Sequence, residues 1–259
     1  MLNLLRLVTY LALTFTLIPV QMLALALGCR LADRLPSRYH AMVCRIFGLE
    51  IEIRGEISRA VPTMFVANHI SYLDIATLGA TVPAQFVAKA DIADWPLFGF
   101  LAKLQRTIFV DRRVRSSAKQ RDSLVERLQG GTSIIMFPEG TSGDGSRVLP
   151  FKSALFSAAA VEVAAGPITV QPVSVTYTKL NGMPLGRHFM PFVAWYGDME
   201  LLPHMWQLIG LGHINVIVHF HAPVSLAAFS SRKQLAQHCY TVIADAVSAG
   251  GRDSDMSRS

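Results

Sequence analysis

The chain is short of charge. Of its 259 residues, 24 are Lys or Arg and 18 are Asp or Glu, 16% in all, where an ordinary soluble domain carries about 25%. With 51% hydrophobic residues and a mean hydropathy of +0.37, this scarcity points to contact with a membrane. Cysteine is scarce too: Cys29, Cys44 and Cys239 are scattered, odd in number and without a CxxC. That excludes a disulfide framework and fits a reducing compartment. Acid is short relative to base, leaving a net charge of +6. No zinc-finger spacing and no RNA-binding signature accompany the positive charge, so nucleic acid gives way to anionic lipid as the partner that fits it. The phosphate-binding pattern GxxxxGK[ST] is missing, which argues against nucleotide hydrolysis. The elbow GxSxG is missing as well, so no serine nucleophile is framed.

What is there begins at the N-terminus. From Leu7 to Cys29 the sequence carries no charge. As a helix it would run roughly 34 Å, enough to cross about 30 Å of hydrocarbon. Pro19 should kink or break it. Three readings stay open: one kinked transmembrane helix, two short helices dipping into one leaflet, or a signal peptide. Arg30, Arg34, Arg38 and Arg45 follow the segment and only Arg6 precedes it. This bias places the main body on the cytoplasmic side of an inner membrane.

Beyond residue 48 short β-branched runs alternate with helical patterns. "PTMFVAN", "QFVAK", "TIFVD", "SIIMFPEG", "ITVQPVSVTY" and "INVIVHF" read as buried strands. Between them "SSAKQRDSLVERLQGG" reads as a helix with Ala118, Leu124, Val125 and Leu128 on its apolar stripe, ended by Gly130-Gly131. The alternation predicts an α/β domain whose mostly parallel sheet is flanked by helices. Residues 1–47 then form a membrane-embedded anchor with a basic juxtamembrane stretch, 48–248 the α/β domain, and 249–259 a disordered tail. "AWYGDMELLPHMWQLIGLG" reads either as core or as a helix touching acyl chains or the membrane interface.

Ligands of such sheets bind beyond the carboxyl ends of the strands, and polar clusters fall there. In "NHISYLD", His69 and Asp74 would point ~140° apart within one helix. They can meet only if His69 precedes the helix. Asp74 then fixes the His69 tautomer and leaves the other ring nitrogen to act as base. With no serine framed, the hydroxyl to be deprotonated belongs to the substrate. The competing reading is a capping box, Ser71-x-x-Asp74, with His69 merely ending a strand. In "FPEGTSGDGSRVLPFK", a glycine-rich loop carries Glu139, Gly140, Thr141, Arg147 and Lys152 and can present N–H groups to an anion, or be a plain turn. Arg112, Arg113 and Arg115 are a second candidate phosphate site, and Lys89 ends a strand on the same edge. His219 and His221 are spaced as HxH, with no third ligand to make a metal site.

These clusters, in this order, resemble the glycerolipid acyltransferase family typified by 1-acylglycerol-3-phosphate acyltransferases. "NHISYLD" is similar to its N-H-x4-D block, Phe109 to Arg112 to F-x-x-R, "FPEGTS" to E-G-T-R, and the strand around Pro172 to V-P-[IV], over about residues 50 to 180. The resemblance implies that His69 is the general base and Asp74 its partner. It implies that Arg112, Glu139, Gly140 and Thr141 bind the phosphate of a lysolipid acceptor. It further implies that acyl-CoA or acyl carrier protein donates the acyl group as co-substrate, with no cofactor and no metal, giving phosphatidic acid. One departure stands out: the arginine after Glu-Gly-Thr is here Ser142. Arg147, Lys152 or Lys89 could replace the contact. The same loop also resembles that of bacterial lyso-ornithine lipid acyltransferases, whose acceptor carries an amino acid headgroup.

Overall fold

The computed structural model describes residues 1–110, 124–163 and 166–256. Two helices come first, α1 (Leu2–Ala26) and α2 (Leu31–Phe47). Then follow β1 (Leu49–Gly55), β2 (Thr63–Ala67), α3 (Leu73–Thr81), β3 (Gln85–Lys89), α4 (Phe98–Leu104) and β4 (Ile108–Val110). Residues 124–129 are helical (α5). After β5 (Ile134–Met136), the short strands β6 (Glu162–Val163) and β7 (Gly166–Pro167) pair with each other. The chain closes with β8 (Thr169–Leu180), β9 (Met183–Pro184), α6 (Leu201–Ile209), β10 (Ile214–Phe220), β11 (Val224–Ser225) and α7 (Arg232–Met256).

The main sheet runs β1-β10-β8-β2-β5-β3-β4, with β9 and β11 on the ends of β8. From β8 to β4 every pairing is parallel, as it is between β1 and β10. The β10–β8 ladder is antiparallel, so the sheet is mixed. Its central strands are continuous apolar runs because both faces are covered. Phe65 and Ala67 of β2 enter one core, with α1, α2, α3 and α6. Met64 and Val66 enter the other, with α5 and α7. Alternate side chains leaving opposite faces produce this partition.

α1 is continuous through Pro19, so the expected break there does not occur. The proline removes one N–H, but the turns on either side hold. By length and composition α1 could cross a membrane. It is also fastened to the domain near both ends. The Arg6 guanidinium donates to the carbonyls of Ile209 and Leu211, and the Gln21 amide donates to those of Ala32 and Leu104. The opposite face leaves Leu4, Leu5, Val8, Phe15 and Leu23 exposed. α2 supplies Val43, Cys44 and Phe47 to the same core as the sheet. Residues 1–47 are therefore built into the domain and do not simply hang from it. α7 continues to Met256, and Gly250 passes so close to Thr176 of β8 that an added Cβ would meet Thr176 Cγ2 at 3.2 Å.

Candidate active site

β2 ends at Ala67, and the next residues make the turn into α3. Asn68 locks this turn to β8: its side chain donates to the Val175 carbonyl at 3.0 Å and accepts from the Val175 N–H at 2.8 Å. His69 therefore stands before the helix, as the spacing requires. Its Nδ1 lies 2.8 Å from Asp74 Oδ2. A carboxylate oxygen can only accept, so Nδ1 carries the proton and Nε2 keeps its lone pair. The ring stacks on Phe137, with centroids 4.2 Å apart and planes 19° apart.

Asp74 is fully buried. The same Oδ2 accepts from the N–H groups of Ile70 at 2.7 Å and Ser71 at 2.9 Å. Half of the capping box is thus present and half is not, since the Ser71 hydroxyl is buried without a partner among the described residues. The two sequence readings are compatible, because one carboxylate oxygen both closes the helix start and holds the imidazole. The other oxygen, Oδ1, accepts from the Tyr177 phenol at 2.7 Å. Sequence reasoning missed Tyr177. It lies 103 residues away and reads as one more apolar strand position.

The 138–152 loop closes over this turn. Glu139 is buried, and its two oxygens accept from the N–H groups of His69 at 2.7 Å and Leu149 at 2.8 Å. Both oxygens are thus engaged by backbone donors, and the side chain holds the loop against the His69 turn. Burial outweighs those two donors and pushes the Glu139 carboxyl up to about 7, with Asp74 adding in the same direction. Within the loop, the N–H groups of Gly140, Gly143, Ser146, Leu149 and Lys152 donate to Phe137, His69, Asp144, Glu139 and Pro138.

Gly140 has φ +70°, and an added Cβ would meet Lys152 Nζ at 2.4 Å, so glycine is what lets the ammonium lie there. Thr141, Arg147 and Lys152 are exposed, and Lys89 is half-buried as the last residue of β3. Arg112, with Arg113 and Arg115, lies outside the described residues. Ser142 is buried, and its hydroxyl donates to the Trp195 carbonyl. The Trp195 N–H in turn donates to Ile70 O at 2.9 Å.

His69 also opens onto a cavity of about 280 Å³ with an apolar lining. Leu17 and Ile18 of α1, Val43 of α2, Phe86, and Leu201 and Met205 of α6 contribute to its walls. The "AWYGDMELLPHMWQLIGLG" segment therefore does several jobs at once. Leu208 and Ile209 are core, Leu201 and Met205 face the cavity, and Leu202 and Trp206 are exposed. A base at the mouth of an apolar cavity suits a reaction between a hydroxyl and a long-chain acyl group.

Comparison with known proteins gives the same answer. The family described as Acyltransferase matches residues 49–176. A lyso-ornithine lipid O-acyltransferase of Brucella abortus is 43% identical over 230 residues, covering 87% of this chain and 86% of that protein. A 1-acyl-sn-glycerol-3-phosphate acyltransferase of Neisseria gonorrhoeae is 30% identical over 191 residues, 71% of each chain. In fold, the 1-acyl-sn-glycerophosphate acyltransferase of Thermotoga maritima superposes with a TM-score of 0.63 at 22% identity, covering 93% of this chain and 96% of that one. The dyad, the cavity it opens onto and these relatives agree that the chain belongs to the acyltransferase family.

Proposed function

We propose that this acyltransferase moves a fatty acyl group from a thioester, acyl-CoA or acyl carrier protein, to the free hydroxyl of lyso-ornithine lipid. His69 Nε2 takes the hydroxyl proton as the oxygen attacks the thioester carbonyl. Collapse of the tetrahedral adduct breaks the C–S bond, and the departing thiolate takes the proton back from His69. Asp74 holds the imidazole in the required tautomer throughout. The acyl chain occupies the apolar cavity, and its burial there contributes binding energy in proportion to the area removed from water.

The acceptor is read from Ser142. Where the resemblance puts a phosphate-binding arginine, this chain has a small buried hydroxyl already spent on Trp195. That geometry favours a headgroup without a phosphate, and the lyso-ornithine lipid O-acyltransferase at 43% identity supports it. Lysophosphatidic acid, yielding phosphatidic acid, is the second acceptor, supported by the relative at 30% identity. The apolar outer face of α1 and the arginines of α2 fit a protein held at the cytoplasmic face of an inner membrane. Turnover of each lysolipid with acyl-CoA and with acyl carrier protein, by purified protein and by His69→Ala, tests the reading. Lyso-ornithine lipid should give the higher kcat/KM. A clear preference for lysophosphatidic acid would reverse the order of acceptors.

A further inference from the structure

Among the described residues the Asp74 carboxylate accepts four hydrogen bonds, and three of them converge on one oxygen. The fourth is different in kind. It comes from a phenol on β8, the interior strand paired with β2, and among the described residues it alone holds Oδ1. Tyr177 is 2% exposed and Asp74 0%, so no water competes for the contact. Burial and the adjoining carboxylate raise the Tyr177 phenol well above its ordinary range, so it stays protonated and donates. A carboxylate anchored at one oxygen only could swing about its Cβ–Cγ bond. Anchored at both, it keeps Oδ2 in line with the imidazole. Tyr177 also sits two residues beyond Val175, which clamps Asn68. One strand therefore fixes both flanks of His69.

We propose that Tyr177 is a positioning residue of the reaction, acting on His69 through Oδ1 of Asp74. The inference rests on the reading of His69 as the base. The phenol sets the direction of the His69–Asp74 hydrogen bond and draws charge from Oδ1 that would otherwise strengthen Oδ2 as an acceptor.

Tyr177→Phe keeps the ring and removes the donor. The expected result is a kcat about tenfold lower with the KM of donor and acceptor unchanged, because the lost contact to a charged group aligns the base and does not bind substrate. In an Asp74→Asn background the same substitution should cost nothing more, since the two residues act as one unit. A second readout needs no substrate. The NMR resonance of the His69 Nδ1 proton should move downfield in Tyr177→Phe. With 3-fluorotyrosine at position 177, a stronger donor that keeps the ring, it should move upfield. An unmoved resonance in both variants, or a kcat loss that is fully additive with Asp74→Asn, overturns the proposal and leaves Tyr177 as packing. If no lysolipid is turned over while the resonance shifts as stated, the acceptor assignment has failed and the positioning role stands.

Discussion

At the scale of the residue, Asp74 answers two questions with one atom. Because Oδ2 closes the start of α3 and also holds the imidazole, Asp74→Asn should damage both functions. Turnover should fall about 10²–10⁴-fold, the usual worth of a positioned base. The melting temperature should drop by several degrees as well, since roughly 1–3 kcal/mol of buried donor satisfaction is lost. His69→Ala should abolish turnover with a much smaller change in melting, because the histidine ring is partly solvent-facing and caps nothing. If Asp74→Asn unfolds less readily than that, or spares turnover, the shared-oxygen account is wrong. Glu139 makes a separate prediction through pH. Its folded value, near 7, lies above the ordinary 4.5, so the folded state holds a proton that the unfolded state has released between those values. Its contribution is fully present below about pH 4.5 and is lost as pH rises through 7. Thermal melts across pH 4.5 to 7.5 should show this decline, on the order of a few kcal/mol. Glu139→Gln, which cannot ionise, should flatten it.

At the scale of the element, the strands predicted from short β-branched runs are β2, β3, β4, β5, β8 and β10, and the spacing of His69 and Asp74 required His69 to precede the helix for the pair to meet while leaving the capping-box reading open. β1 was not read as a strand, although Leu49-Glu-Ile-Glu-Ile53 alternates as a half-exposed edge strand should. The antiparallel β10–β8 ladder was illegible because strand direction is set by what lies between strands, here α6 and its loops. The contacts of Tyr177 and Glu139 were invisible for a related reason: they join residues 103 and 70 apart in sequence. Ser142 shows the same limit. Its departure from the family pattern suggested a missing phosphate contact that an arginine would restore. In the fold, its hydroxyl pins the loop to Trp195, and Gly143 beside it donates to His69 O at 2.8 Å. Ser142→Arg must therefore expel a long cation from a buried site. Kinetics on both acceptors should show activity lost on each, and a melt should show reduced stability. A clean gain on lysophosphatidic acid would mean that the loop swings outward without disturbing His69.

At the scale of the whole molecule, the N-terminal helix raises the question of tether or wall. A tether would only raise the local concentration of enzyme at the lipid. α1 does more. Tyr10 packs its ring 5.4 Å from Phe47 of α2, Leu17 and Ile18 line the cavity that His69 opens onto, and Arg6 and Gln21 bind carbonyls of the 209–211 and 104 regions. Removing residues 1–30 would bare the apolar faces of α2 and α6 and open the cavity along one side. We expect the truncated protein to leave the membrane fraction or to aggregate. Any portion kept soluble in detergent should fail to transfer long acyl chains. The discriminating measurement uses detergent micelles, where a tether has no purpose. There, a mere tether predicts full activity after truncation, whereas a wall predicts loss that is steepest for long acyl chains, which need the missing side of the cavity. Arg6→Ala gives a milder form of the same test. It leaves α1 in the chain but unfastens its end, and should raise the KM for long-chain donors while leaving short-chain ones almost unaffected.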